Sequence, residues 1–355
     1  MLVPESVPEF LREPVSSVLL RLQSTADETL LQRFKEQPEL EEQLARALTG
    51  SDYLAQLLMR QPVLLQTLVA QGENAQRPVD AVYEEFIQAA CDAVSDTELD
   101  VLLRRFRQRI MAGVIWRDLN RQLPMTETTA ELSRLADTTI QVAADWHYRQ
   151  LVASYGTPIG KDSGTPQSFV VLGMGKLGAH ELNLSSDIDL IFTFPETGET
   201  RDGPKTIDNQ SFFIRLGQRV IKSLDARTAD DFVFRVDMRL RPHGQSGALV
   251  LNYDAMEDYY QTQGRDWERY AMIKARVVAV SGGQTPQQDA ERLMALLFPF
   301  TYRQYIDFSV IEALRSMKSL IARQVQRKGM NLDVKLGEGG IREIEFIVQV
   351  FQLIR

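Results

Sequence analysis

A single cysteine in 355 residues, Cys91, leaves no partner for an internal disulfide, the usage expected of a reducing compartment. It falls in FIQAACDAV, a stretch of helical period, and is expected to be a small core side chain. No apolar run reaches the roughly 18 residues of a membrane span, and the opening MLVPESVPEF lacks the charged-then-apolar order of a secretory leader. Positive charge is in the minority: 40 Lys and Arg against 48 Asp and Glu leave a net charge of −8. That balance argues against a surface built for nucleic acid or anionic lipid. Histidine is scarce too, with only His147, His180 and His243, and none stands at a metal-ligand spacing from another. The remainder, 44% hydrophobic and 25% charged, is ordinary globular composition, and 355 residues exceed what one core commonly fills. The expectation is a cytoplasmic protein of two or three domains, with neither membrane nor nucleic acid among its partners.

Residues 1–125 read as a helical region. Apolar residues recur at three- and four-residue steps in LAQLLMRQPVLLQTLV and LDVLLRRFRQRIMAGVIW, with Ser51 and Ser95 as caps and Pro38, Pro62, Pro78 and Pro124 as breaks. The helix after Pro124 leads straight into the next region, residues 126–280, where composition changes. There GTPIGKDSGTPQ reads as loop, SFVVLG as a strand, and DIDLIFTF as a second strand ended by Pro195. PETGETRDGPK follows as an exposed loop, FFIRLGQRVIKSLD as a helix, and DFVFRVDMRLRP, alternating with period two, as the clearest strand. Helices are expected in YDAMEDYYQ, in WERYAMIKARVVA and through residues 281–355, where EGGIREIEFIVQVFQLIR is still apolar-periodic at Arg355. A fragment of a longer protein is expected.

The informative stretch is FVVLGMGKLGAHELNLSSDIDLIFTF. Gly173, Gly175 and Gly178 satisfy G-x-G-x-x-G, the dinucleotide-binding fingerprint. Its context contradicts that use, because only about eight residues separate Gly178 from Asp187, too few for the crossover helix such a unit requires. A Walker loop fits less well, since Leu177 follows Lys176 where a hydroxyl is needed. The pattern that fits is a glycine turn feeding a strand that opens Asp-x-Asp. On an extended strand Asp187 and Asp189 share one face, roughly 7 Å apart, an arrangement suited to hard divalent cations such as Mg²⁺. The alternation in FRVDMRLRP places Arg235, Asp237, Arg239 and Arg241 on one face. The bland reading is a solvated edge. The functional one is a third carboxylate beside guanidinium groups that can bind phosphate bidentately, apparatus for phosphoryl or nucleotidyl transfer.

A glycine turn, Asp-x-Asp on one strand and a lone Asp on a later one resemble the nucleotidyltransferase fold shared with DNA polymerase β. More narrowly, GMGKLGAHELNLSSDIDLIF, VDMRLRPHGQSG, YYQTQGRDWERYAMIKARVV, YRQYIDFSV and KLGEGGIREIEFIVQ resemble the bifunctional glutamine synthetase adenylyltransferase/adenylyl-removing enzyme family, specifically its N-terminal half. The resemblance implies an α+β fold: a nucleotidyltransferase core with a mixed sheet, flanked by helical regions. It also implies metal-dependent phosphorolytic removal of AMP from an adenylylated tyrosine of glutamine synthetase, inorganic phosphate attacking and ADP leaving. Asp187, Asp189 and Asp237 carry over as ligands of Mg²⁺ or Mn²⁺, in a site that holds two metals. Arg239 and Arg241 are expected to orient the phosphate. Gly175 and Lys176 stand where the wider superfamily has Gly-Ser, at the nucleotide phosphates. Ser185 and Ser186 either touch a nucleotide phosphate or cap the turn. Adenylylated glutamine synthetase and the PII signalling protein are the implied partners. Alternatives are the forward adenylyltransferase using ATP, and a non-catalytic regulatory binding module.

Other features have structural readings. His180 is expected on the short helix after the glycine turn, and His243 in a loop-capping role. In GRDWERY, Asp266 reads as an N-cap with Arg265–Glu268 and Arg269–Asp266 pairs, against a nucleotide-facing role for Trp267 and Tyr270. GEGG reads as a turn into a helix whose N-terminus could receive an anion.

Overall fold

The computed structural model describes residues 7–73, 79–302 and 339–353, with isolated positions between 312 and 337; Pro78 and YRQYIDFSV from Arg303 onward lie outside them. The chain forms two compact units.

The first unit is helical: α1 (Glu9–Thr25), α2 (Glu28–Glu36), α3 (Glu39–Gly50), α4 (Asp52–Arg60), α5 (Val63–Glu73), α6 (Val79–Asp92), α7 (Asp96–Leu119) and the first half of α8 (Met125–Tyr155), the division falling at Thr139. Local chemistry starts these helices where capping requires. Asp27 accepts from the Leu30 N–H at 2.7 Å, and Ser51 from Leu54 at 3.2 Å. Ser95 accepts from Glu98 at 3.2 Å while the Glu98 carboxylate takes the Val94 N–H at 2.9 Å, a reciprocal box. Leu19, Leu22, Leu44, Leu54, Leu58 and Trp116 are fully enclosed in its core. Residues 180–186 and 226–233 belong to this unit. The buried Arg104 holds the second segment, donating to the carbonyls of Asp231 (2.7 Å) and Ala226 (2.5 Å). Cys91 is exposed, contrary to its expected place in the core. The buried stripe of α6 runs through Tyr83, Phe86 and Ala90, and a residue next to Ala90 turns about 100° away from it.

The second unit carries two sheets. β1 (Thr157–Gly160) and β4 (Gly198–Arg201) pair antiparallel. The larger sheet has order β5 (Val236–Asp237), β3 (Ile188–Phe194), β2 (Ser168–Gly173), β7 (Arg276–Gly282), with β6 (Val250–Asn252) also beside β3. β2 is antiparallel to β3 and β7, whereas β5 and β6 run parallel to β3. Every residue of β2 is buried, so β-branched and aromatic side chains fill both its faces. On one side Phe169 and Phe194 stack on Phe213 of α10 (Asn209–Asp225), with Phe192 tilted against Phe169 and Phe212 edge-on to Phe213. On the other, Val170, Leu172 and Ile191 meet α11 (Tyr253–Thr262), α12 (Asp266–Met272) and α13 (Pro286–Thr301) through Tyr253, Met272 and Leu293. The short α9 (Gly175–Gly178) follows β2, and a C-terminal helix spans Ile341–Leu353. The architecture is α+β, with a small mixed sheet among helices. Among the described residues no helix is long and apolar enough to cross a membrane.

Three local expectations are corrected. The strand read over 231–242 contracts to Val236–Asp237, because the Asp237 carboxylate takes the Arg239 N–H at 2.8 Å and bends the chain. His243 then adopts a left-handed φ of 61°. WERYAMIKARVVA is not one helix: α12 stops at Met272 and Arg276–Gly282 is strand β7, paired with β2. The two stretches read as loops, around residues 157–160 and 198–201, find each other as β1 and β4.

Candidate active site

The Ile188 N–H donates to the Arg235 carbonyl at 3.0 Å, and Ile188 then pairs with Val236 and Asp189 with Asp237. In parallel neighbours at this register the two aspartates face the same way, with strands about 4.8 Å apart. Asp187, one pleat earlier, lies on that face with Arg235. Two segments 50 residues apart in sequence thus bring three carboxylates to one sheet edge, none farther from another than about 9 Å at Cα by strand spacing.

The glycine turn closes over this edge. The Met174 N–H donates to the Asp189 carbonyl at 2.9 Å, and Gly175 follows at φ 54°. A Cβ on Gly175 would lie 2.9 Å from Asp189 Oδ2, so glycine suits the backbone angle and lets the turn approach without displacing that carboxylate. Gly178 has a different reason, since its Cβ would stand 1.8 Å from the Lys274 carbonyl oxygen. Arg276 donates to the carbonyls of Leu177 and Gly178 at 3.1 and 3.3 Å and ends the helical turn. The antiparallel pairing of β2 with β3 is incompatible with the parallel β-α-β unit of dinucleotide sites. Lys176 is half-buried on α9. Ser185 and Ser186 lie on the turn preceding Asp187, where the Ser186 N–H donates to the Asn183 carbonyl at 3.1 Å.

Charge is unevenly shared among the acids. Arg235 Nε holds Asp187 Oδ1 at 2.5 Å. Arg239 grips Asp237 with Nε and Nη2, at 2.8 and 2.5 Å to Oδ2. That hydrogen bonding holds the Asp237 carboxyl below its usual range and pushes the Arg239 guanidinium up. Asp189 has no ion pair among the described residues. Burial, then the charges of Asp237 and Asp187, push its carboxyl up to about 6, partly offset by Arg239 and Lys335. As the side chains lie, no three Asp, Glu, His or Cys of the described residues close on a common point fit for a metal ion, because Asp187 and Asp237 are each turned onto an arginine. The donor set still suits a hard cation: all-oxygen, on one face, with an acid in Asp189 that no ion pair among the described residues occupies.

Arg241 sits apart from this. Its guanidinium donates to the carbonyls of Met238 (2.8 Å), Gln245 (3.3 Å) and Gly247 (3.4 Å), and it fixes the turn. Arg235, placed on this face by the alternation but given no role of its own, holds Asp187, and Lys335, brought near Asp189 only by folding, acts on its charge. His147 is buried against Ser223 at 2.9 Å, and His243 packs edge-on to Tyr259 at 4.4 Å. His180 lies in the turn just past α9, at φ 58°, instead of on it. Arg265, not Asp266, is the cap of α12. The buried Glu268 takes the Arg265 N–H at 2.9 Å and the Tyr259 hydroxyl at 2.7 Å, and Arg269 pairs with Asp266 at 3.6 Å. The helix after GEGG is closed by its own Glu343, which accepts from the Gly339 N–H at 3.0 Å.

Residues 41–293 match the family model of Glutamate-ammonia ligase adenylyltransferase, and residues 315–355 that of GlnD PII-uridylyltransferase. The chain is 52% identical over 344 residues to the bifunctional glutamine synthetase adenylyltransferase/adenylyl-removing enzyme of Pseudomonas aeruginosa, covering 96% of this chain and 34% of that protein. To the proteins of the same name from Pseudomonas putida and Nitrosococcus oceani it is 55% identical, over 314 and 309 residues, covering 88% and 86% of this chain and 32% and 31% of theirs. It spans about a third of the length of the curated relatives it matches. With its glycine turn, its acid edge and most of its length inside one family model, the chain belongs to the glutamate-ammonia ligase adenylyltransferase family of nucleotidyltransferases.

Proposed function

We propose that this chain carries the adenylyl-removing activity. Inorganic phosphate attacks the phosphorus joining AMP to a tyrosine of glutamine synthetase, the bond from phosphorus to the phenolic oxygen breaks, and ADP leaves. The phenolate takes up the proton that hydrogen phosphate brought. An ionised nucleophile needs no strong base, so the demands are to hold two anions together and to stabilise a departing phenolate. Asp187, Asp189 and Asp237 would hold Mg²⁺ or Mn²⁺, two ions in the reading favoured here, which supply charge neutralisation at the phosphates and the leaving oxygen. Arg239 offers the phosphate a forked donor, Arg241 keeps the turn that presents it, and Gly175 lets the turn approach the acid edge.

The observation that supports this reading most is the pairing of Asp189 with Asp237, with the largely exposed Arg239 beside them. A removing reaction must bring in a second, separate anion, and an exposed guanidinium on the acid face suits that requirement. The PII-uridylyltransferase match over residues 315–355 supports PII as a regulatory partner, and the relatives' names support adenylylated glutamine synthetase as the substrate. Incubation with synthetase carrying labelled AMP, Mg²⁺ and phosphate should release labelled ADP, whereas ATP with unmodified synthetase should leave it unlabelled. Label transferred from ATP would make the chain a forward adenylyltransferase. Absence of ADP release, with synthetase binding retained and unchanged in Asp187→Asn and Asp237→Asn, would make it a binding module only.

A further inference from the structure

A single residue occupies both oxygens of Asp237. The Arg239 N–H donates to Oδ1 at 2.8 Å, Nε reaches Oδ1 and Oδ2 at 3.0 and 2.8 Å, and Nη2 takes Oδ2 at 2.5 Å. The acid side chain is 14% exposed and the arginine's 71%, so the guanidinium covers the carboxylate from the solvent side. A cation at Asp237 competes with this fork, because the fork engages both carboxylate oxygens and most of their lone pairs. The fork's other natural partner is a phosphate, bound through the same pair of N–H groups. Only the side chain has to leave; the main-chain bond that shapes the turn can stay. At Asp187 the covering guanidinium belongs instead to Arg235, whose Nε donates to Oδ1 from the neighbouring strand.

We propose that Arg239 couples the site's two ligands: a divalent cation taking Asp237 releases the guanidinium, and the released guanidinium receives inorganic phosphate. The inference rests on the reading of Asp237 as a metal ligand. The coupling is reciprocal, so phosphate drawing the fork outward uncovers Asp237 and tightens the metal by the same factor. An ion pair this open to solvent masks the carboxylate by roughly two- to fivefold in affinity.

The test measures Mn²⁺ binding to the whole chain, from the loss of the free-ion EPR spectrum, with and without inorganic phosphate. Arg239→Gln is compared with Lys335→Gln, which removes a positive charge acting on Asp189 without uncovering a carboxylate oxygen. Without phosphate, Arg239→Gln is expected to bind Mn²⁺ about two- to fivefold more tightly than the parent, and Lys335→Gln to change less. Phosphate is expected to tighten Mn²⁺ in the parent and in Lys335→Gln, and to do so by a smaller factor in Arg239→Gln. Equal Mn²⁺ affinity in the parent and Arg239→Gln, an equal gain in Lys335→Gln, or an undiminished phosphate effect in Arg239→Gln overturns the coupling and leaves the metal site standing. Absence of Mn²⁺ binding by all three proteins overturns the metal-ligand reading together with the coupling.

Discussion

Adding one methyl group at Gly175 separates the site's geometry from the stability of the fold. In Gly175→Ala the new Cβ sits at φ 54° and 2.9 Å from Asp189 Oδ2. The left-handed backbone costs about 1–2 kcal/mol. The contact with the carboxylate oxygen is relieved when Asp189 shifts by a few tenths of an ångström, which a short terminal group can do cheaply. The expected stability loss is therefore about 1–2 kcal/mol, a fall of a few degrees in the unfolding transition. The carboxylate that moves is the one paired with Asp237; since misplacement by about 1 Å can cost about a hundredfold, a shift of a few tenths is expected to lower turnover by about two- to fivefold. Gly178→Ala is the counterpart. Its Cβ would meet the carbonyl oxygens of Lys274 at 1.8 Å and Gly173 at 2.5 Å, backbone atoms held in neighbouring elements, so roughly 3 kcal/mol or more is lost. Thermal unfolding and ADP release from adenylylated synthetase, measured on both variants, give the comparison. A Gly175→Ala protein with full activity, or one destabilised as much as Gly178→Ala, would refute the role proposed for Gly175 against the acid edge.

The raised carboxyl of Asp189 makes stability depend on pH with a definite sign. An acid moved from 3.8 to about 6 on folding contributes stability that is complete below about pH 4 and is lost as pH rises through about 6. Two units correspond to about 3 kcal/mol as a ceiling, and solvent access at this edge reduces it to about 1–2 kcal/mol. Asp189→Asn should therefore be more resistant to urea than the parent at pH 8 and no more resistant at pH 4. Arg241→Gln should lower the unfolding free energy by about 1–2 kcal/mol, read as a lower urea midpoint, because three carbonyls lose their donor. Arg239→Gln should leave the urea midpoint close to the parent's, as expected of a solvent-screened pair, and raise the Michaelis constant for phosphate; equal urea midpoints for the two variants would contradict the separation of roles.

Features encoded within a few residues were legible from the sequence: the caps at Ser51 and Ser95, the helix through Phe212–Asp225, the strands SFVVLG and DIDLIFTF, and the shared face of Asp187 and Asp189. Each follows from a side-chain period or a hydrogen bond that closes within four residues. What the tertiary structure decided depends on partners far away in sequence. Pairing with β2 makes Arg276–Gly282 a strand, since its β-branched side chains gain a buried neighbour there that an isolated helix lacks. Mutual pairing turns residues 157–160 and 198–201 into β1 and β4. In 231–242 the alternation put Arg239 and Arg241 on one face as equals. The Asx turn at Asp237 then ends the strand, sending one guanidinium onto a carboxylate and the other onto three carbonyls. Periodicity places a side chain on a face, but which groups compete for its donors is settled only when distant backbone arrives beside it.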